Sequence, residues 1–223
     1  MEKQRLIMLL ALISAACVSI LCNSGLTEAI ESPHYKIVLL ESDFHVRLYS
    51  KSVWISAAVD DLSFEKATLC GYARLFAYTQ GANLNSSWLP PTVPVVTALL
   101  PGAGPLNSSA YSVRLYLPSK FQAELPSPFP ELDLKPYIWP IRCVAVRRFY
   151  GFATNKSVVK EAGRLARSLS KSNITTGDRG YSVAQYSPPL QIIGRVNEVW
   201  VDVTLDEIDG CGTESETAGA SAD

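Results

Sequence analysis

The chain has 223 residues, 48% of them hydrophobic, which is enough apolar material for a packed globular core. Its 20 basic and 21 acidic residues leave a formal charge of −1, with no Lys/Arg block long enough to follow a phosphate backbone, so nucleic acid is excluded as an expected partner.

Lys3 and Arg5 precede an uncharged apolar run from Leu6 to Leu21 that ends in small and polar residues, the layout of a secretory signal peptide. The run is shorter than the ~20 residues of a membrane span, and Ser14 and Ser19 dilute it, so a retained anchor is the alternative and cleavage the expectation. Cleavage sites follow Ser24 or Ala29, giving a leader over residues 1–24 that extends at most to 29. The expected route is therefore secretory, ending outside the cell, in a vacuole or in the lumen of the endoplasmic reticulum. Four acceptor sequons fit that route, at Asn85, Asn107, Asn155 and Asn173, none with Pro in the middle position. Of five cysteines, Cys17 and Cys22 leave with the leader. Cys70, Cys143 and Cys211 stay, which allows one disulfide and a free thiol, or makes Cys70 and Cys143 small buried apolar residues. No CxxC or Cys/His cluster suggests a metal site.

Past the leader, Tyr35–Leu40 and Phe44–Val59 are rich in β-branched and aromatic residues and read as extended. Ser63–Gln80 has helical spacing, with Ser63 placed to cap its start and Gly81 placed where a left-handed terminating residue is wanted. Val93–Leu100 and Ser112–Leu117 read as strands. Six prolines within Pro118–Pro140 predict an irregular linker. Then the pattern repeats: an extended Cys143–Ala153, a helix over Ser157–Ser170 starting near Asn155 or Ser157, and strands at Tyr181–Tyr186 and Glu198–Val203. Tyr111-Ser-Val-Arg-Leu-Tyr matches Tyr181-Ser-Val-Ala-Gln-Tyr and is taken as the equivalent strand of the second copy. The second helix has an apolar stripe of Val158, Val159, Ala162, Leu165, Ala166 and Leu169 opposite a solvated basic face of Lys160, Arg164, Arg167 and Lys171. Residues 204–223 carry six carboxylates and no basic or aromatic residue, and are expected to be disordered. The expectation is α+β: two βαββ repeats in one domain over residues 31–203, their sheets curling into a distorted antiparallel β-barrel with flanking helices.

Catalytic motifs are missing: there are two histidines, no Gly-x-Ser-x-Gly elbow, and neither a Walker loop nor a dinucleotide fingerprint. The first helix is more informative. At about 100° per residue, Phe64, Ala67, Gly71, Leu75 and Tyr78 form a core face, while Leu69, Tyr72 and Phe76 form a second apolar stripe that meets another element or lines a ligand groove. His34, in a turn, and His45, on a probable strand, are the only imidazoles able to ligate a heme iron.

The strings Glu41-Ser-Asp-Phe-His-Val-Arg-Leu-Tyr, Phe64-Glu-Lys-Ala, Gln80-Gly-Ala-Asn, Thr92-Val-Pro-Val-Val-Thr, Tyr186-Ser-Pro-Pro and Gly194-Arg-Val-Asn-Glu-Val-Trp occur in that order across about residues 31–203. In them the chain resembles the SOUL heme-binding family, in its plant, heme-binding-protein-2-like branch. The resemblance implies a barrel related to the gyrase-inhibitor-like fold, and binding of heme or another tetrapyrrole on a hydrophobic surface beside the first helix. Carried over by position, that surface comprises Leu69, Tyr72, Phe76 and Ala77 on the helix, and Pro189, Leu190 and Gln191 before the last strand. Where some relatives carry basic residues for propionates, this chain has Ala77 and Gln191, and a histidine of some members is replaced by Leu48; Arg74 or Arg195 is then the candidate propionate partner. The expected function is non-enzymatic tetrapyrrole binding, as carrier or buffer. Two alternatives remain: a hydrolase-like enzyme acting on small lipophilic electrophiles through Glu198 with Tyr116 or Tyr186, marked by a raised Glu198 pKa, and a protein-interaction module without a small ligand.

Overall fold

The computed structural model describes residues 30–61, 63–99, 109–177, 180–188, 191–204 and Cys211. The leader, the tail apart from Thr204 and Cys211, the Asn107 sequon, and Pro189 and Leu190 lie outside the described residues. In chain order the elements are β1 (Tyr35–Leu40), β2 (His45–Tyr49), β3 (Ser52–Asp61), α1 (Phe64–Thr79), β4 (Val95–Leu99), β5 (Ser109–Tyr116), β6 (Leu134–Trp139), β7 (Arg142–Tyr150), α2 (Asn155–Lys171), β8 (Ser182–Gln185) and β9 (Val196–Asp202). Glu31–Asp223 forms a compact unit that contains all of them.

The described strands make one curled, nine-stranded sheet in the order β1-β2-β7-β9-β8-β4-β5-β3-β6, antiparallel at every pairing. Within it β3-α1-β4-β5 and β7-α2-β8-β9 are the two expected βαββ units, related by an approximate two-fold about the β4–β8 seam. Each unit borrows a strand across the chain: β2, from the first half, pairs with β7, and β6, which leads into the second, pairs with β3. The extended stretch Phe44–Val59 is therefore two strands. Its break falls at the exposed Ser50 and Lys51, where the chain leaves one unit for the other.

Two further expectations are corrected. The Pro118–Pro140 segment is not irregular throughout, since it ends in β6. Pro136 is tolerated there because β6 is the outer strand of the sheet, paired only with β3, so the missing N–H costs no ladder bond. The matching strings at Tyr111 and Tyr181 fall on β5 and β8, which occupy different places in the two units, so the match is not a trace of the repeat.

Strand alternation sorts the side chains onto two faces. On β9, Val199 and Val201 join the core under the helices, while Trp200 turns the other way; on β7, Cys143, Ala145 and Phe149 do the first, and Val144 and Val146 the second. The face away from the helices is closed by aromatic rings: Trp139 stacks on Trp54 at 4.9 Å between centroids and meets Trp200 edge-on at 5.9 Å. The helices cover the other face, α1 over β3 and β5, α2 over β7 and β9.

Both helix starts follow from local chemistry. Ser63 accepts a hydrogen bond from the Lys66 N–H, and Thr154 forms a capping box with Ser157. The two starts also cap each other, since the Phe64 N–H donates to Asn155 Oδ1 at 3.0 Å and the Asn155 N–H donates to Glu65 Oε1 at 2.9 Å. Gly81 ends α1 at φ 102°, as its position predicted. The core face of α1 is as read, with Phe64, Ala67, Gly71, Leu75 and Tyr78 buried. On α2 the buried line is Val158, Glu161, Leu165 and Leu169. Val159 and Ala166, expected in the stripe, are exposed because they fall beside that line, and Glu161 enters it because Arg147 and Arg164 neutralise its carboxylate at 3.1 and 2.7 Å.

Cys143 and Cys211 form a disulfide and Cys70 is an exposed free thiol, so Cys70 is not a buried apolar filler. The bond ties the buried Cys211 to β7 across a separation of 68 residues. In the chain-entropy account, closing a loop of that length stabilises the fold by about 4 kcal/mol. Cys211→Ser is expected to lose a stabilisation of that order in denaturant titration, and adding reductant to the wild type is expected to reproduce the loss. At Gly71 an added Cβ would lie 2.6 Å from Val113 Cβ, closer than packed atoms approach. Gly71→Ala is therefore expected to lift α1 from β5 and cost about 1–3 kcal/mol, seen as a lower midpoint in thermal unfolding.

Candidate functional site

A groove of about 380 Å³ opens where the first half of α1 overhangs the β4–β8 seam. Its α1 wall is Phe64, Glu65, Thr68, Leu69 and Tyr72; its floor includes Val95 and Gln185, which are direct partners across the seam. Phe152, Ala153, Ser187 and Arg195 form the opposite wall. The reciprocal capping of α1 and α2 sets the spacing between Phe64–Glu65 and Phe152–Ala153, and the Thr68 and Thr97 hydroxyls, 2.9 Å apart, tie α1 to β4. The volume lies in the range of small-molecule sites.

The second stripe of α1 is the exposed apolar rim of this groove. Leu69 is 62% exposed and Phe76 49%, and the Tyr72 ring stacks on Phe76 at 6.0 Å, which continues the aromatic surface one turn further. Burial raises the Tyr72 phenol pKa, so it stays neutral in physiological solution. Of the predicted site residues, Leu69 and Tyr72 line the groove and Phe76 extends it. Ala77 is half-buried and does not line it. Gln191 does not line it either: its side chain donates to the carbonyls of Ile193 and Gly194 at 2.9 and 3.2 Å and orders its own loop. The residues missed were Phe64, read only as core, and Glu65, Thr68, Val95, Phe152, Ala153, Gln185 and Ser187, which reach the groove from four separate segments and carry no common sequence signal.

Arg195 is the basic residue of the groove wall. Its guanidinium is buried, donates from Nη1 to the carbonyls of Pro188 and Gln191 at 3.0 and 2.7 Å, and lies 4.9 Å from the centroid of the Phe152 ring. Gln185 Oε1 is buried without a hydrogen-bond partner among the described residues, an acceptor at the groove floor. Arg74 is elsewhere: it clamps the carbonyls of Ala58, Leu132 and Asp133, a structural role.

Glu198 is on the opposite face of the sheet. It is fully buried and takes a bidentate pair of bonds from Arg47 at 2.8 and 2.9 Å, with further bonds from the Tyr186 hydroxyl at 2.7 Å and the Trp200 indole at 2.9 Å. Burial alone pushes its pKa up, but Arg47 and the other donors outweigh burial and hold it below the ordinary carboxylate range. The raised pKa expected of a catalytic Glu198 is thus reversed. Tyr186 is hydrogen-bonded to it, and Tyr116 packs instead against Trp54. Arg47 Nε also donates to His45 Nε2 at 2.7 Å, which fixes His45 as a neutral acceptor at that nitrogen. Burial, Arg47 and Arg148 lower the His45 pKa against the opposing pull of Glu198. Neither His45 nor the exposed His34 lines the groove.

A family model described as SOUL heme-binding protein matches residues 30–202, and the chain belongs to that family. It is 29% identical to human heme-binding protein 2 over 178 residues, covering 78% of this chain and 86% of that protein. To heme-binding protein 1 of Xenopus laevis it is 31% identical over 159 residues, covering 70% of this chain and 82% of that one. Among solved structures it resembles the C-terminal domain of EcmrR, with a TM-score of 0.53, 9% identity, and coverage of 76% of this chain and 98% of that one. It also resembles a hydrolase from Listeria innocua, with a TM-score of 0.50, 10% identity, and coverage of 74% and 93%. At such identities these structures speak for the fold alone.

The cluster on the closed face makes stability sensitive to acid. His45 and Glu198 both have pKa values below their unfolded ones, so the folded state binds fewer protons and their contributions are complete only above the unfolded values. Stability is expected to fall first as pH drops below 6.5, the ordinary histidine value, and again below 4.5, that of the carboxyl. His45→Gln should remove the upper step and leave the lower one, measured as denaturation midpoints across pH.

Proposed function

We propose that the groove beside α1 binds heme or another tetrapyrrole without chemical turnover, and that the protein acts as a carrier or buffer in the secretory pathway. The carrying observation is the fixed apolar rim of Leu69, Tyr72 and Phe76 over a groove with one buried cation in its wall. A tetrapyrrole such as heme supplies a flat apolar macrocycle with anionic carboxylates. Phe64, Leu69, Tyr72 and Phe152 suit its faces, and Arg195 suits a propionate. Burial of apolar area and ring stacking would supply most of the affinity, with the charge setting orientation. With no imidazole of the chain on the groove, its residues would hold the ligand by its ring and edge rather than through an iron bond. Family membership supports heme as the ligand.

The secretory route draws on the leader-like segment, with cleavage after Ser24 or Ala29, and on the disulfide, a bond that persists in oxidising compartments. Asn85, Asn155 and Asn173 are exposed, as glycan acceptors must be, and Asn107 completes the proposed set. No helix among the described residues is long and apolar enough to cross a membrane. A binding role is favoured over hydrolysis by Glu198, whose carboxylate is buried and held ionised by Arg47, so that it has neither the access nor the pKa of a general acid.

The test is an absorbance titration with hemin and with protoporphyrin IX. Saturable binding by the wild type is expected, weakened by at least about tenfold in Tyr72→Ala/Phe76→Ala, whose circular dichroism should stay unchanged. A folded wild type that binds neither compound refutes the reading.

A further inference from the structure

The exposed apolar surface continues past the groove. Tyr150 at the end of β7 and Phe152 just after it are 71% and 55% exposed, and Ile192 and Ile193, before β9, are 75% and 86% exposed. Hydrogen bonds place the two segments side by side: the Gly151 N–H donates to the Arg195 carbonyl at 3.1 Å, and the Asn197 side chain donates to the Gly151 carbonyl at 2.8 Å. The isoleucine turn is held in shape by the Gln191 amide and the Arg195 guanidinium, and Gly194 supplies its left-handed corner at φ 70°. Large aliphatic side chains held outward on a stapled turn gain nothing in water. Two exposed isoleucines, with the exposed rings of Tyr150 and Phe152 on the adjoining segment, mark a surface that is covered in use.

Charge indicates what covers it. Positions 147–160 carry Arg147, Arg148, Lys156 and Lys160 and no carboxylate, and positions 186–197 carry Arg195 and none. Arg147 and Arg148 are engaged by Asp43, Glu161 and Glu198, whereas Lys156 and Lys160 are exposed in the first turns of α2. The neighbouring acid, Glu65, is satisfied by Asn155 and Ser63. With Lys156 and Lys160 four and eight positions after Phe152, these apolar side chains and ammonium groups match an anionic lipid interface, where the apolar groups enter the acyl boundary and the cations meet phosphates. We infer that this edge seats the protein on an anionic lipid surface. The groove shares Phe152 and Arg195 with the edge and therefore lies beside the bilayer, where a lipophilic ligand partitions. The inference stands apart from the identity of the groove's ligand.

The compact unit Glu31–Asp223, which lacks the apolar leader segment, is the material for the test. It is sedimented with phosphatidylcholine vesicles prepared with and without phosphatidylserine. Binding to the phosphatidylserine vesicles is expected, weakened at least about tenfold in Ile192→Ser/Ile193→Ser. Lys156→Glu/Lys160→Glu should weaken binding at low salt, with the difference from wild type shrinking as salt screens the charges. Thermal melts check that both variants are folded. Wild-type protein left in the supernatant with both vesicle types, or serine variants that bind like wild type, overturns the inference. So does a wild-type dimer that the serine substitutions dissociate, because a second copy would then be what covers the edge. Failure of the hemin titration leaves these outcomes unchanged, so the two readings fail separately.

Discussion

The buried pair between Arg47 and Glu198 joins β2, from the beginning of the chain, to β9 near its end, and closes the face of the sheet that the helices leave open. Two charges removed from water are tolerated there because both carboxylate oxygens and all three guanidinium nitrogens are bonded, and because the Tyr35 ring lies 4.3 Å from the guanidinium carbon. With Trp54, Trp139 and Trp200 filling this face, the cavity found there among the described residues is only about 20 Å³, and Arg47 holds the Glu198 carboxylate ionised. The larger groove is on the helix-covered face, where α1 overhangs the central seam.

The same connection explains why the two βαββ units cannot be separate domains. Each lacks a strand that the other half of the chain supplies, β2 for the second unit and β6 for the first, so neither sheet is complete until both are made. The disulfide adds a second long-range tie, from β7 to Cys211. The groove is a product of this assembly. Its floor is the seam between units, one wall is a helix of the first unit, and the other is the entry to the helix of the second. Reciprocal caps at the two helix starts convert that arrangement into a fixed width.

The proposed function rests on what the groove holds. Among the described residues it has ring-lined walls, one buried guanidinium and an amide oxygen without a hydrogen-bond partner, and neither of the chain's imidazoles. These features suit a flat, lipophilic, anionic molecule, the class of ligand proposed for the groove. The exposed apolar edge inferred to meet lipid shares Phe152 and Arg195 with this groove.

The sequence by itself determined the features that depend on local spacing. These are the first helix's start at Ser63, the second helix's start near Asn155, the core face of α1, the left-handed Gly81, the extended segments, and the second apolar stripe of Leu69, Tyr72 and Phe76. Motif strings further determined the family, because they are contiguous and ordered. Tertiary structure alone decided the rest. Strand exchange is invisible to a period-two pattern, which is the same whichever strand is the partner, so the break at Ser50–Lys51 and the strand containing Pro136 were not legible. The line of α2 was misread at Val159, Ala166 and Glu161 because a buried carboxylate depends on Arg147, a residue on another element. The cysteine pairing and the far wall of the groove depend on positions brought together across the chain, and no spacing rule encodes those distances. Only the fold could show that Glu198 is neutralised by Arg47, 151 positions away, which turned a candidate catalytic acid into the structural centre of the closed face.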